Sequence, residues 1–262
     1  MSAETSPTRV DSEPTEAPVR DTVFRSPVEP ESFQFDDRVA AAFDDMAVRS
    51  IPDYWRLQEL IADLALRSCP VRTVVDLGCA TGTTLETVAR QAQARMRLIG
   101  VDKSPQMLDV ARAKLLPHVE THDVWLHPGD VLRPDLPRDD PAGAVVLAFT
   151  LQFIRPLDRQ RVLESARAML HPDGVLIVVE KTVQAADRVN RLFLDAYHDF
   201  KRAQGYSRAE IARKREAYHN RLVPFQPEEN ERLLTAAGFS TVSVFYSHLN
   251  FQGYLACDPR SG

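Results

Sequence analysis

From Phe33 onward, apolar residues recur at helical spacing: Phe35, Val39, Phe43 and Met46 share one face, and Asp36 or Asp37 is placed to cap that helix. Pro52 interrupts the pattern, and Tyr54 to Leu66 predicts a second amphipathic helix. The period then changes. Thr73-Val74-Val75-Asp76-Leu77 is a short β-branched run ending at Gly78, and Leu85 to Arg90 returns to helical spacing. Leu98 to Asp102 predicts a second strand and Met107 to Leu115 the next helix. A buried strand over Ala144 to Ala148, a helix over Arg159 to Leu170 and a strand over Val175 to Glu180 follow. Strands alternating with helices imply right-handed crossovers and a mostly parallel sheet.

Residues 183–222 break this alternation with a helical stretch crowded with charge and aromatics. Two runs close the chain, Thr241 to Ser247 and Phe251 to Ala256, with a turn from Ser247 to Asn250, and they predict an antiparallel edge hairpin. The expected fold is α/β and Rossmann-like. A seven-stranded, mostly parallel sheet is sandwiched by helices, with an N-terminal helical cap and the 183–222 insertion covering the site. Residues 1–32 are rich in Pro, Ser, Thr, Glu and Asp and read as a disordered tail. Residues 33–258 then form the folded domain.

Composition narrows the class. Hydrophobic residues make up 44% of the 262, enough to bury a sizeable core. A formal net charge of -5 argues against a surface that tracks nucleic-acid phosphates. No run approaches the roughly 20 apolar residues that span a bilayer, and the first thirty residues hold no apolar run resembling a secretory signal. Cys69, Cys79 and Cys257 are too few and too scattered for a disulfide framework or a zinc site, so a cytoplasmic, metal-free protein is expected.

The chemistry starts at Val74-Val75-Asp76-Leu77-Gly78-Cys79-Ala80-Thr81-Gly82, where Gly78 and Gly82 flank a strand-to-helix turn. Small residues there let a ligand approach the backbone, and the helix start offers unpaired N–H donors. Asp102 closes the next strand, roughly 20 residues on, the spacing of an acid that accepts ribose hydroxyls. It could instead cap the following helix, where Ser104-Pro105 supplies a proline at the first position. The turn reads G-x-x-x-G rather than G-x-G-x-x-G, which excludes the pyrophosphate of NAD(P). Gly129-Asp130-Val131 then places an acid after a third strand, where an adenine amino group needs an acceptor.

This set, in this order, resembles the S-adenosylmethionine site of the class I methyltransferases. Further stretches resemble the carboxy-S-adenosylmethionine synthases, which use prephenate to convert S-adenosylmethionine to its carboxymethyl form. They are Phe35-Asp36-Asp37-Arg38-Val39-Ala40, Arg49-Ser50-Ile51-Pro52-Asp53-Tyr54, Phe149-Thr150-Leu151-Gln152-Phe153, Glu180-Lys181, His198 to Ser207 and Ala209 to Arg215. The likeness runs from about Phe33 to Ala256. It implies nucleotide contacts from Tyr54, Gly78, Asp102 and Asp130, with Asp76, Cys79, Ala80, Gly82, Lys103 and Val131 beside them. It also implies that Arg215 meets the extra carboxylate of the cofactor. The sequence departs from that family where Ala148 replaces an Asn before Phe-Thr-Leu-Gln-Phe, and where Gly-Cys-Ala-Thr-Gly replaces Gly-Cys-Ser-x-Gly.

Arg213, Lys214 and the Arg202/Arg208 neighbourhood read as a solvated basic helix face, with Arg215 alone lifted above it by the resemblance. His198 could be a general base, or a core histidine bonded to a backbone carbonyl. Tyr197, Tyr206 and Tyr218 could line a cation–π pocket or simply pack. Cys79 is small and inert. Three functions compete. The first is methyl transfer from S-adenosylmethionine to a small carboxylate-bearing metabolite, with Ala148 and His198 near the acceptor. The second is carboxy-S-adenosylmethionine synthesis, with the carboxymethyl cofactor as product. The third is a non-catalytic binding protein. The expected partners are a small molecule and, as an open alternative to a monomer, a second copy of the chain.

Overall fold

The computed structural model describes residues 19–26, 36–134, 136 and 140–258, together with the backbone of residues 8–9. The sheet is built as the alternation predicts. Its strands are β1 (Thr8–Arg9), β2 (Thr73–Leu77), β3 (Arg97–Asp102), β4 (Asp123–Pro128), β5 (Ala142–Ala148), β6 (Leu170–Lys181), β7 (Thr241–His248) and β8 (Phe251–Cys257). They lie in the order β1-β4-β3-β2-β5-β6-β8-β7. From β4 to β6 every neighbour is parallel, and β8 runs antiparallel to both β6 and β7. Seven strands therefore match the expectation, including the edge hairpin. The addition is the two-residue β1, which pairs antiparallel with the outer edge of β4.

The helices are α1 (Asp37–Ser50), α2 (Tyr54–Arg67), α3 (Thr83–Gln91), α4 (Pro105–Leu115), α5 (Pro156–Met169), α6 (Asp187–Ala203), α7 (Arg208–Ala217) and α8 (Pro227–Ala236). Asp36 caps α1 by accepting the Val39 N–H at 3.0 Å. Ser104 caps α4, accepting from the Met107 N–H at 3.3 Å with Pro105 at the first position. Helix α8 escaped the periodicity. Its signal was there in Pro227 and in Glu229, which completes a capping box with Gln226.

Parallel strands covered on both faces should read as continuous apolar runs, and β2 is buried at all five positions. One core layer packs Leu57, Ile61, Val74, Leu85, Leu98 and Leu115, and the other packs Leu77, Leu147, Val162, Leu163, Leu176 and Tyr254. Among the described residues, no helix is long and apolar enough to cross a membrane.

Residues 19–26 correct the expectation of a disordered tail over 1–32. Phe24 is 1% exposed and packs with Val39, Met46, Met107 and Ala217. Asp21 is equally buried, and it accepts the hydroxyl of Tyr206 while its carbonyl accepts Arg49 Nη1 at 3.1 Å. A polar average hid one aromatic anchor and one buried acid. The rest of that tail, apart from β1, and the expected onset of order near Phe33 and Phe35 lie outside the described residues.

Candidate functional site

The strand-to-helix turn sits at the carboxyl ends of β2 and β3, where parallel α/β sheets place ligands. Its backbone is unusual at three points: Gly78, Ala80 and Gly82 have φ of 84°, 46° and 76°. A side chain at Gly78 would strike the Thr150 hydroxyl, 2.5 Å from an ideal Cβ, so glycine is required there by conformation and by space. Helix α3 begins at Gly82 with no side-chain cap, which leaves its first amides open to an anion.

Asp102 braces this turn. Its carboxylate accepts the Ala80 N–H at 3.0 Å and the Ser104 N–H at 2.9 Å. The cap of α4 is Ser104 rather than Asp102, and each Asp102 oxygen keeps a lone pair for a further donor. Burial raises its pKa, opposed by the amides of Ser104 and Ala80 and by the charge of Lys103.

Asp76 lies deeper, 2% exposed, and its Oδ1 meets no hydrogen-bond donor among the described residues. Burial, then the neighbouring Asp102 charge, pushes its pKa up to about 7. A buried acceptor without a donor, beside an uncapped helix start, suits a ligand that carries an ammonium group and a carboxylate on one carbon. The turn therefore fits S-adenosylmethionine, the alkyl donor of such sites. Tyr54, buried at the start of α2, has its pKa raised by burial and by the Asp44 charge, and it bonds toward Thr83 and Gln58.

A network that sequence reasoning missed holds the turn from outside. Asp44 of α1 accepts the hydroxyls of Thr81 at 2.6 Å and Thr83 at 3.2 Å. Lys114 of α4 donates to Asp44 at 2.6 Å and to Thr83 at 2.7 Å. Nothing in the local spacing of Asp44 or Lys114 signals this, because it joins residues 70 apart.

The remaining predicted residues separate. Asp130 is exposed and accepts the Leu132 N–H at 2.9 Å, Val131 is buried, and Lys103 is exposed. Cys79 is buried and its thiol is pushed well up by burial and by Asp76. Ala148 ends β5, half-buried, just before Phe149 with φ of 61°. His198 and Arg215 meet in an open cleft of about 190 Å³ between α6 and α7, lined also by Arg202, Arg208 and Ile211. His198 has no hydrogen bond to a described backbone carbonyl, so it is not the carbonyl-bonded core histidine. Burial lowers its pKa, reinforced by Lys201, Lys181 and Arg215.

The basic helix face also needs correction. Arg215 is exposed, whereas Lys214, read as solvated, is 6% exposed and donates to the Ser50 hydroxyl at 2.7 Å. Arg213 donates to the carbonyls of Phe24 and Arg25. The one-residue difference has a simple origin. Helix α7 lies on α1 and on residues 19–26, so the position that faces inward was set by a segment judged disordered. Tyr197 and Tyr206 do have cations over their rings: Lys201 lies 5.2 Å and 5.6 Å from their centres. Tyr218 instead packs against Phe24 and Phe153.

The sheet order, the turn and its two acids define a class I S-adenosylmethionine-dependent transferase. Residues 74–174 match the methyltransferase domain family. A solved O-methyltransferase family protein from Burkholderia thailandensis superposes with a TM-score of 0.60 at 20% identity, over 87% of this chain and 61% of that one. Two relatives are much nearer in sequence. The carboxy-S-adenosyl-L-methionine synthase of Desulfotalea psychrophila is 39% identical over 92% of this chain and 98% of its own length. That of Wolinella succinogenes is 40% identical over 91% and 98%. The chain belongs to the carboxy-S-adenosyl-L-methionine synthase family.

Proposed function

We propose that this protein is itself a carboxy-S-adenosylmethionine synthase, taking S-adenosylmethionine and prephenate as substrates. The observation that carries this reading is likeness along nearly the whole chain to proteins named for that activity. The turn and Asp102 support it by keeping the groups that suit the nucleoside. The stoichiometry is simple. A sulfonium methyl loses a proton and gains a carboxyl carbon. Prephenate gives up that carboxyl together with its ring hydroxyl, so an arylpyruvate and water balance the exchange. The protein's contribution is to hold both molecules in contact and away from solvent.

The second reading, methyl transfer to a carboxylate-bearing metabolite, is favoured by Ala148, whose side chain can donate nothing to a ligand at the end of β5. We read the enzyme as cytoplasmic, in keeping with three free cysteines among the described residues. We also read it as a homodimer, in keeping with the apolar Val189 and Leu192 exposed on α6. Mass spectrometry of the purified protein incubated with S-adenosylmethionine and prephenate tests the main reading. The carboxymethyl nucleoside is expected, and unchanged S-adenosylmethionine would reject it. Sedimentation velocity tests the dimer.

A further inference from the structure

Beneath α6 and α7, cations outnumber acids. Arg49, Lys201 and Lys214 gather over the Tyr206 ring and Lys181 and Lys201 over the Tyr197 ring, and the acids acting on this cluster are Asp21, Asp45 and Glu210. Four basic side chains thus face three acids, one of which, Glu210, also pairs with Arg25, in a region largely removed from water, where charges are normally paired.

The partners of the four explain only part of this. Arg49 is held by Asp45 at 3.2 Å and by the carbonyls of Asp21 and Gln204. Lys214 has the Ser50 hydroxyl. Lys181 and Lys201 have only ring faces: Lys181 Nζ lies 4.8 Å from the centre of Tyr197 and Lys201 Nζ 5.2 Å from the same ring. Neither ammonium donates a hydrogen bond to a described residue, although each carries three donors.

Their position joins them to the site. Lys181 is the last residue of β6, beside the carboxyl end of β5. Tyr197 packs on Phe251, and Phe251 packs on Phe149, the neighbour of Ala148. On the outer side, His198 follows Tyr197 and lines the open cleft with Arg208 and Arg215. The lysines therefore lie between the outer cationic cleft and the carboxyl ends of the central strands.

We propose that Lys181 and Lys201, with Lys214 behind them, bind the second substrate as a dicarboxylate dianion, one carboxylate facing each of the two front lysines. The inference rests on the synthase reading, because that reaction needs a dianionic partner for the sulfonium nucleoside. It goes beyond that reading by assigning the partner a site. Two lysines that share the Tyr197 ring and lack acceptors supply the donors, one for each carboxylate.

Calorimetry on the full chain, saturated with S-adenosylhomocysteine, tests it with prephenate and with malonate as a plain dicarboxylate probe. The variants are Lys181→Met, Lys201→Met and, as a remote control, the exposed Arg161→Met. Lys201→Arg keeps the charge and checks that loss is not a folding defect. Tenfold or greater weakening of prephenate binding is expected in each Lys→Met variant, with Lys201→Arg closer to wild type. The control should stay within twofold, and S-adenosylhomocysteine affinity should hold throughout. Wild-type prephenate affinity in both Lys→Met variants, or no dianion binding to the wild type, would overturn the proposal. If malonate binds in a lysine-dependent way while prephenate does not, the site stands and the synthase reading falls. Carboxymethyl product formed by both variants with an unchanged KM for prephenate would leave the synthase reading and remove this site.

Discussion

Asp102 accepts the backbone N–H of Ala80, 22 residues upstream, at 3.0 Å. This bond ties the end of β3 to the only non-glycine residue of the turn with positive φ, so the acid proposed for the ribose also shapes the loop proposed for the nucleotide. Asp102→Asn should weaken S-adenosylmethionine by about 1.5–3 kcal/mol, the range for hydrogen bonds to a charged acceptor. It should also cost about 1 kcal/mol of stability, because the amide nitrogen cannot accept from Ala80 or Ser104. Calorimetry and urea melts read the two effects separately. Unchanged affinity would remove Asp102 from the nucleotide site while keeping its role in the turn.

The Asp44–Lys114 pair is the outer clamp of the same turn, with side chains 21% and 15% exposed. Asp44→Ala leaves Lys114 among hydroxyls without its anion and should destabilise the protein by about 2 kcal/mol, below the cost of breaking a fully buried pair. Asp44→Ala combined with Lys114→Met should cost less than the sum of the two single changes. Additive losses in urea unfolding would mean that the pair does not act as a unit.

Phe24 anchors the N-terminal segment under α7. Phe24→Ala should cost about 3 kcal/mol, as for other buried aromatic truncations. Deleting residues 1–26 should lower the melting temperature by a similar mechanism and uncover Lys214. A deletion that leaves the melting temperature unchanged would show that this segment contributes no net stability.

The contrast between α3 and α7 shows what the chain reveals by itself. The glycines at Gly78 and Gly82 and the acid at Asp102 lie within one strand-turn-helix unit and the strand after it, so local spacing is enough to place them. The parallel sheet was legible for the same reason, since β2, β3, β5 and β6 each carry their own apolar run. Lys214 was not legible. Its burial depends on Ser50 and Phe24, more than 150 residues away, and local charge patterning cannot distinguish it from Arg215. Asp44 and Lys114 were missed likewise, because an exposed-looking acid and base on separate helices become a pair only after the helices pack. The Arg215 assignment came from resemblance alone, and the structure places that residue in the outer cleft with His198.

Burial sets opposite pH trends in the two halves of the site. Asp76 is pushed up to about 7 and Glu180 to about 8, so the folded state holds protons that the unfolded chain has released. Their contribution is present in acid and is lost as pH rises through 7 to 8. Lys181 and Lys201 are pushed down to about 8 and about 7, chiefly by burial, with Lys181 also acting on Lys201. Between pH 7 and roughly 10 the unfolded chain therefore binds more protons at these lysines, and stability rises with pH by up to about 1.4 kcal/mol per unit for each proton. The ligand-free protein should accordingly be least stable near pH 7 to 8. Lys201→Met should raise stability at pH 7 to 8 and flatten the rise toward pH 10, since it removes one of the titrating groups. Urea unfolding at fixed pH values from 5 to 10 measures both curves. Identical slopes above pH 8 in the wild type and in Lys201→Met would mean that Lys201 is solvated and carries an ordinary lysine pKa. In that case Lys201 stays fully protonated at neutral pH and burial does not disfavour its charge.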